Sequence, residues 1–177
     1  VTSAEKLLEA AQLHISNVEL VDYHGGSLRI SATHTKPDVL PSNLLHYKSI
    51  EESEDLKNPN RYKHYFNEIL RQKDNFLMKL DSISILEDEV VFGVGAAAKA
   101  NTLLTFYGLG RDKLNFIVDA SEYKQGKITP VTKIPIYPDS HLATQKGGVG
   151  IMLAWNIGDA VRKQIFKINP KIRMIGI

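Results

Sequence analysis

The segment Gly93-Val94-Gly95-Ala96-Ala97-Ala98 has the form G-x-G-x-x-A, follows the apolar run Val90 to Phe92 and opens a helical stretch. In that setting the first glycine permits a sharp turn, the second lets a phosphate approach the backbone, and the small third residue lets helix pack on strand. An anion there gains from the unpaired amides of the first helical turn. Asp119 ends the next apolar run, about where an acidic residue meets a ribose hydroxyl in a dinucleotide site. The plainer alternative is that Gly93 and Gly95 only close a tight turn between strand and helix.

Other chemistry-bearing residues cluster around the same sequence landmarks. Lys99 and Asn101 fall in the first turns of the helix after the glycine bend, where a cation and an amide could reach phosphate or sugar. From Asp119 to Thr132 runs a polar loop carrying Lys124, Gln125, Gly126, Lys127, Thr129 and Pro130, expected at the carboxyl edge of a sheet, where ligands bind. Trp155 and Asn156 follow the apolar run Ile151 to Ala154, and the indole could stack on a base or a sugar. His24, Ser27 and Arg29 bracket Gly25-Gly26 and offer a proton carrier, a hydroxyl and a planar phosphate-binding fork. The remaining histidines show no metal-ligand spacing and no Ser-His-Asp set is apparent, so no metal site is expected.

The elements that must position these groups can be read from periodicity. Thr2-Ser3-Ala4-Glu5 reads as a capping box for a short helix to about Gln12. Val18, Leu20, Leu28 and Ile30 lie in two extended runs around the glycine pair, which implies a small β element. Thr35 to Asn58 has no sustained period and reads as a loop with one short helix. Asn58-Pro59 starts a long helix to about Asp81, with Tyr62, Tyr65, Phe66, Ile69, Leu70, Phe76, Leu77 and Leu80 along one stripe expected to be core. From Glu89 onward, near-continuous apolar runs (Val90 to Phe92, Phe116 to Val118, Ile151 to Ala154, Ile172 to Ile177) alternate with helices at 97–109 and 157–168. That pattern predicts a Rossmann-like, doubly wound, mainly parallel α/β sheet preceded by an N-terminal helix and small β appendage. The expected division is 1–58 for the helix, β appendage and loop, and 59–177 for the nucleotide-binding domain with its leading helix.

Composition narrows the partners. The 177 residues carry 43% apolar and 24% charged residues and a net charge of +2 without basic runs, which argues against nucleic acid. There is no cysteine, which excludes disulfides and thiolate-bound zinc. The longest apolar stretch is too short to span a bilayer, so a soluble, cytoplasmic protein without a membrane partner is expected. The opening Val1-Thr2-Ser3 lacks an initiator methionine, which suggests a piece of a longer chain.

Tyr23-His24-Gly25-Gly26-Ser27-Leu28-Arg29, Gly93 through Leu104, Val118-Asp119, Lys124-Gln125-Gly126-Lys127, Thr129-Pro130, Ile134-Pro135-Ile136 and Leu153-Ala154-Trp155-Asn156 together resemble the C-terminal domain of S-adenosylmethionine-dependent sugar C-methyltransferases. The resemblance implies a domain that holds a nucleotide-diphospho-keto-sugar, commonly the thymidine form. A zinc module and a methyl-donor domain that binds S-adenosylmethionine are expected upstream, with no cofactor on this chain itself. The implied reaction removes a proton α to the ketone and lets the enolate attack a sulfonium methyl. Carried onto this sequence, it places the sugar-nucleotide on Gly93, Gly95, Ala96, Lys99, Asn101, Asp119, Lys124 and Trp155. His24, as a catalytic group, then faces a cleft with Ser27 and Arg29. Two alternatives stand beside it: a stand-alone NAD-type dinucleotide module, and a structural domain that docks the methyl-donor domain through Tyr62 to Leu80.

Overall fold

The computed structural model describes residues 1–23, 26–154 and 158–176. It divides into two compact units, Val1–Leu70 and Arg71–Ile177.

In the first unit, helix α1 (Thr2–Ala10) leads into the antiparallel pair β1 (His14–Val21) and β2 (Ser27–Thr33), followed by α2 (Ser42–Ser53). The pairing sets Val18 opposite Ile30 and Leu20 opposite Leu28, the β element that the two apolar runs imply. The capping box does not form: Thr2 is already helical, the Glu5 N–H donates to the Val1 carbonyl, and the Thr2 N–H donates to Glu51 Oε2 at 2.8 Å. A carboxylate distant in sequence replaces the local cap, while Glu5 instead accepts from Lys48 Nζ at 2.6 Å. Between Thr35 and Asn58 the structure forms the twelve-residue helix α2, longer than the one short helix expected within that loop. Only Leu44 of α2 is buried, against Ile15 and Val18, so the helix leaves almost no apolar period in the sequence.

Helix α3 (Pro59–Asp81) begins and ends where the sequence places it, and the Asn60 N–H donates to Asn58 Oδ1 at 3.0 Å. The expected core stripe is only half realised. Phe76 and Leu80 are buried, whereas Tyr62, Tyr65 and Phe66 are 55%, 65% and 53% exposed. Helical period identifies residues that share a side, but it does not say what covers that side.

The second unit is a five-stranded, all-parallel sheet of β3 (Val90–Val94), β4 (Phe116–Val118), β5 (Ile136–Tyr137), β6 (Gly148–Met152) and β7 (Ile172–Gly176). Its spatial order is β5-β4-β3-β6-β7. Relative to chain order this is 3-2-1-4-5, the order of the Rossmann fold, with the reversal between β3 and β6. Helices α4 (Ala98–Tyr107) and α5 (Gly158–Ile168) cover opposite faces. Side chains alternate accordingly: Ile117, Ile151 and Leu153 pack with Ala100 and Leu104 of α4, while Phe92, Val94, Phe116 and Met152 pack with Ile165 of α5. Burial on both faces is what makes each strand read as a continuous apolar run.

Several strand boundaries differ from the sequence reading: β3 runs on through Gly93 and Val94 before the bend, and β6 ends at Met152 rather than Ala154. β6 starts at Gly148 rather than Ile151, because glycines stand where the chain is most crowded: a methyl at Gly148 would lie 2.3 Å from the Val90 carbonyl oxygen. β5 is two residues long and too short to register as an apolar run.

Leu44→Ala should cost the first unit about 2–5 kcal/mol and melt α2 with it, read by urea denaturation followed by circular dichroism. A loss below about 1 kcal/mol, smaller than a buried leucine gives, would mean that α2 is held by something else.

Candidate functional site

The parallel pairing of β3 with β4 brings Val94 level with Val118, so the two chains leave the sheet side by side at its carboxyl edge. Gly95 turns there with φ +92°, and its N–H donates to the Val118 carbonyl at 2.8 Å. A methyl group at Gly95 would sit 2.5 Å from the Cβ of Ala154, and one at Gly93 would sit 2.6 Å from Leu153 Cδ1 and 2.9 Å from Ile117 Cγ1. Both glycines therefore make room for the protein's own packing.

The next amide is also engaged. The Ala96 N–H donates to Asp119 Oδ2 at 2.7 Å. The expectation that this bend offers free amides to a diphosphate thus fails at Gly95 and Ala96. The N–H groups of Ala97 and Ala98, at the mouth of α4, make no hydrogen bond among the described residues.

Asp119 is itself heavily used. Its Oδ2 also accepts from Lys124 Nζ at 3.0 Å, its Oδ1 accepts from the Ser121 N–H at 2.9 Å, and its side chain is 11% exposed. Its own N–H donates to the Tyr137 carbonyl at 3.0 Å, and its carbonyl accepts from Gln125 Nε2 at 3.0 Å. The residue read as a ribose acceptor is bonded from three directions within its own fold.

Beside this cross-link lies a cavity of about 250 Å³ lined by Ala96, Asn101, Tyr123, Lys124, Lys127, Ile128, Thr129, Pro130 and Ile136. One wall comes from the start of α4, the other from the loop between β4 and β5. Lys124 is paired with Asp119, whereas Lys127 has no ion pair among the described residues. Asn101 Oδ1 is buried without a hydrogen-bond partner among the described residues. A stranded acceptor of this kind is costly unless something supplies a donor.

The loop wall is held open by a bonded and strained turn. Thr129 is 2% exposed, and its Oγ1 accepts from the Ile134 N–H at 2.9 Å and bonds Thr132 Oγ1 at 2.7 Å. Between them Val131 and Lys133 adopt φ of 60° and 56°. A β-branched residue in the left-handed region is rare, and such strain collects where the surrounding structure demands one particular shape.

Of the residues singled out in the sequence, Ala96, Asn101 and Lys124 meet at the cavity, Asp119 ties two of them together, and Gly93 and Gly95 serve the packing behind them. Lys99 is exposed on α4 and does not line the cavity. Ser27 and Arg29 belong to the first unit: Ser27 Oγ donates to the Tyr23 carbonyl at 2.9 Å, and Arg29 pairs with Glu19 at 3.1 Å. His24 and Trp155 lie outside the described residues. Tyr123, 87% exposed, went unnoticed in the sequence because an isolated loop tyrosine carries no period, and Lys127 was noted there only as part of the polar loop.

A second carboxyl stands at the same edge. Burial lifts Asp139 above the ordinary aspartate value, and the negative charge of Asp119 lifts it further. Gln164 Nε2 donates to its Oδ2 at 2.9 Å.

A five-stranded parallel sheet in Rossmann order, with a basic-walled cavity at its carboxyl edge, places the second unit among the Rossmann-like α/β domains. Residues 22–172 match the model of the C-methyltransferase C-terminal domain, and the chain belongs to that family. It is 28% identical over 152 residues to the C-methyltransferase NovU of Streptomyces niveus, a match that covers 85% of this chain and 36% of that protein. Among the described residues, no helix is long and apolar enough to cross a membrane, and no group of three or more His, Cys, Asp or Glu side chains could hold a metal ion.

Two outcomes follow from this geometry. Gly95→Ala should cost about 2–4 kcal/mol, adding a clash with Ala154 to left-handed strain. Gly126→Ala, with φ 75° and nothing within 4 Å of the added carbon, should cost only the backbone term of about 1–2 kcal/mol. Equal losses in urea denaturation would sink the packing explanation. Asp139→Asn tests the raised carboxyl. Because folding favours its protonated form, the ionised group weakens the fold as pH climbs from the unfolded value of about 3.9 through the higher folded one. The variant should therefore melt at a higher temperature than the parent at pH about 7, and at nearly the same temperature near pH 3, where Asp139 is protonated in the folded and the unfolded chain alike.

Proposed function

We propose that the second unit holds a nucleotide-diphospho-keto-sugar, in its thymidine form, for a SAM-dependent sugar C-methyltransferase of deoxysugar biosynthesis. The observation that carries this reading is the cavity whose walls bring Lys124 and Lys127 to the mouth of α4 beside Asn101. The Lys127 ammonium and the helix-start amides of Ala97 and Ala98, unbonded among the described residues, suit a diphosphate, and the exposed ring of Tyr123 suits a stacked base. At about 250 Å³ the cavity is smaller than the usual site for a whole small-molecule ligand, so it takes part of one and leaves the rest projecting from the edge of the sheet.

The methyl donor is assigned to an upstream domain. The described residues give it no cradle at the glycine bend, where Ala154 fills the space over Gly95 and the Gly95 and Ala96 amides are bonded. His24 is proposed as the catalytic base, with Ser27 and Arg29 facing the substrate, and Lys99 and Trp155 at the margins of the nucleotide. The protein is assigned to the cytoplasm.

The NAD-type alternative finds less support, since the carboxylate and the two amides it needs are taken. Docking of the methyl-donor domain is compatible with substrate binding and is favoured by the exposed Tyr62, Tyr65, Phe66 and Leu70 on α3.

Titration calorimetry of the whole chain with thymidine diphosphoglucose should give saturable heat, weakened at least about tenfold by Lys127→Glu. No heat from the unsubstituted chain with this or any other nucleotide sugar would remove the proposal.

A further inference from the structure

The cavity contains a paradox for an anion site: a nearly buried carboxylate forms part of the structure behind its wall. Asp119 cannot be retracted from there. Its backbone is bonded to Tyr137 and to Gln125, and its side chain accepts from Ser121, Ala96 and Lys124. An ionised carboxylate has about four lone-pair sites, and three are filled. One site is left, enough for a single hydroxyl, and the group lacks the freedom to turn both oxygens to a ribose.

We infer that Asp119 and Lys124 form a shielded bolt: Asp119 positions the Ala96 amide and the Lys124 ammonium, Lys124 masks the Asp119 charge, and Lys127 is the cation that meets the ligand's anionic group. The inference rests on the proposed nucleotide-sugar reading and assigns the work within that site. Three features carry it. The Ala96 N–H and Lys124 Nζ converge on a single oxygen, Oδ2, at 2.7 and 3.0 Å, so one atom joins the helix-start wall to the loop wall. Lys124 is further fixed through its backbone, donating its N–H to the Ser121 carbonyl at 3.0 Å and accepting the Lys127 N–H at 3.1 Å. Lys127 lines the same cavity and spends its charge on no carboxylate among the described residues.

The consequence is a characteristic energetic signature. Removing Lys124 exposes the Asp119 charge to the bound anion, so the loss of affinity comes from repulsion and requires Asp119 to be present. Removing Lys127 takes away an attraction that does not depend on Asp119. A double-mutant cycle separates the two.

The experiment is calorimetric titration of the full chain with thymidine diphosphoglucose, with melting temperature checked for each variant. Lys124→Met should weaken binding about tenfold in the parent and less than about threefold in the Asp119→Asn background. Lys127→Met should weaken it about tenfold in both backgrounds. Lys124→Arg, which keeps the charge beside Asp119, should recover most of the affinity that Lys124→Met loses. If Asp119→Asn does not fold, Asp119→Ser serves as the second background, since its small side chain places no amide hydrogens against the Ala96 and Ser121 donors. Equal losses for Lys124→Met in both backgrounds, or no loss for Lys127→Met, overturn the bolt while leaving nucleotide-sugar binding intact. Absence of binding by the parent chain removes both.

Discussion

The second unit depends on a close approach of backbone that only glycine permits. β3 and β6 are neighbours, and the chain leaving β6 through Leu153 and Ala154 presses against the chain leaving β3, with both amides of that pair donating to the Val94 carbonyl at 3.0 and 3.2 Å. A side chain at Gly95 would collide with Ala154, and one at Gly93 with Leu153 and Ile117. Because the space is free, Gly95 can turn at φ +92° and give its amide to Val118. That bond draws the bend toward β4, and the polar groups at the carboxyl edge take their positions from it.

The cavity lined by Ala96, Asn101 and the β4 to β5 loop lies on the β4 and β5 side of β3. Ala96 comes within reach of the Asp119 carboxylate, α4 starts beside the β4 to β5 loop, and Asn101 one turn later faces the lysines of that loop. The long connection between β4 and β5 carries no helix, so its backbone must be satisfied by turns, which the Thr129 hydroxyl, the Lys127–Ile136 pairing and the strained Val131 supply. One wall of the cavity is thus built from irregular chain held to a regular sheet.

The fold was largely legible because burial on both faces writes itself into sequence. Phe116-Ile117-Val118 can be uninterruptedly apolar only where α4 and α5 cover opposite sides, and the Rossmann-like class follows from such runs alternating with helices. What escaped was whatever lacked a local signal. Glu51 caps α1 from a helix far along the chain, α2 is held by Leu44 alone, and β6 begins with glycines chosen for contact with Val90 and Met174. The site was partly legible for the same reason. Ala96, Asn101 and Lys124 stand on elements whose order sets their neighbourhood, but the partner of each polar group is a matter of ångströms. Nothing in the spacing of Asp119 tells a ribose acceptor from a carboxylate bonded to Ala96 and Lys124.

A glycine fingerprint therefore carries two kinds of information that are easily confused. The geometry it reports, a strand turning sharply into a helix against a neighbouring chain, is fully present here. The ligand chemistry usually inferred from it requires amides left over after the fold has taken its share, and at Gly95 and Ala96 none are left. The groups still open to a ligand lie one step outward: the first amides of α4, which make no hydrogen bond among the described residues, and Lys127 of the facing loop. Such displacement costs the fold little, because a loop without regular structure can place charge beside a helix start without disturbing the sheet.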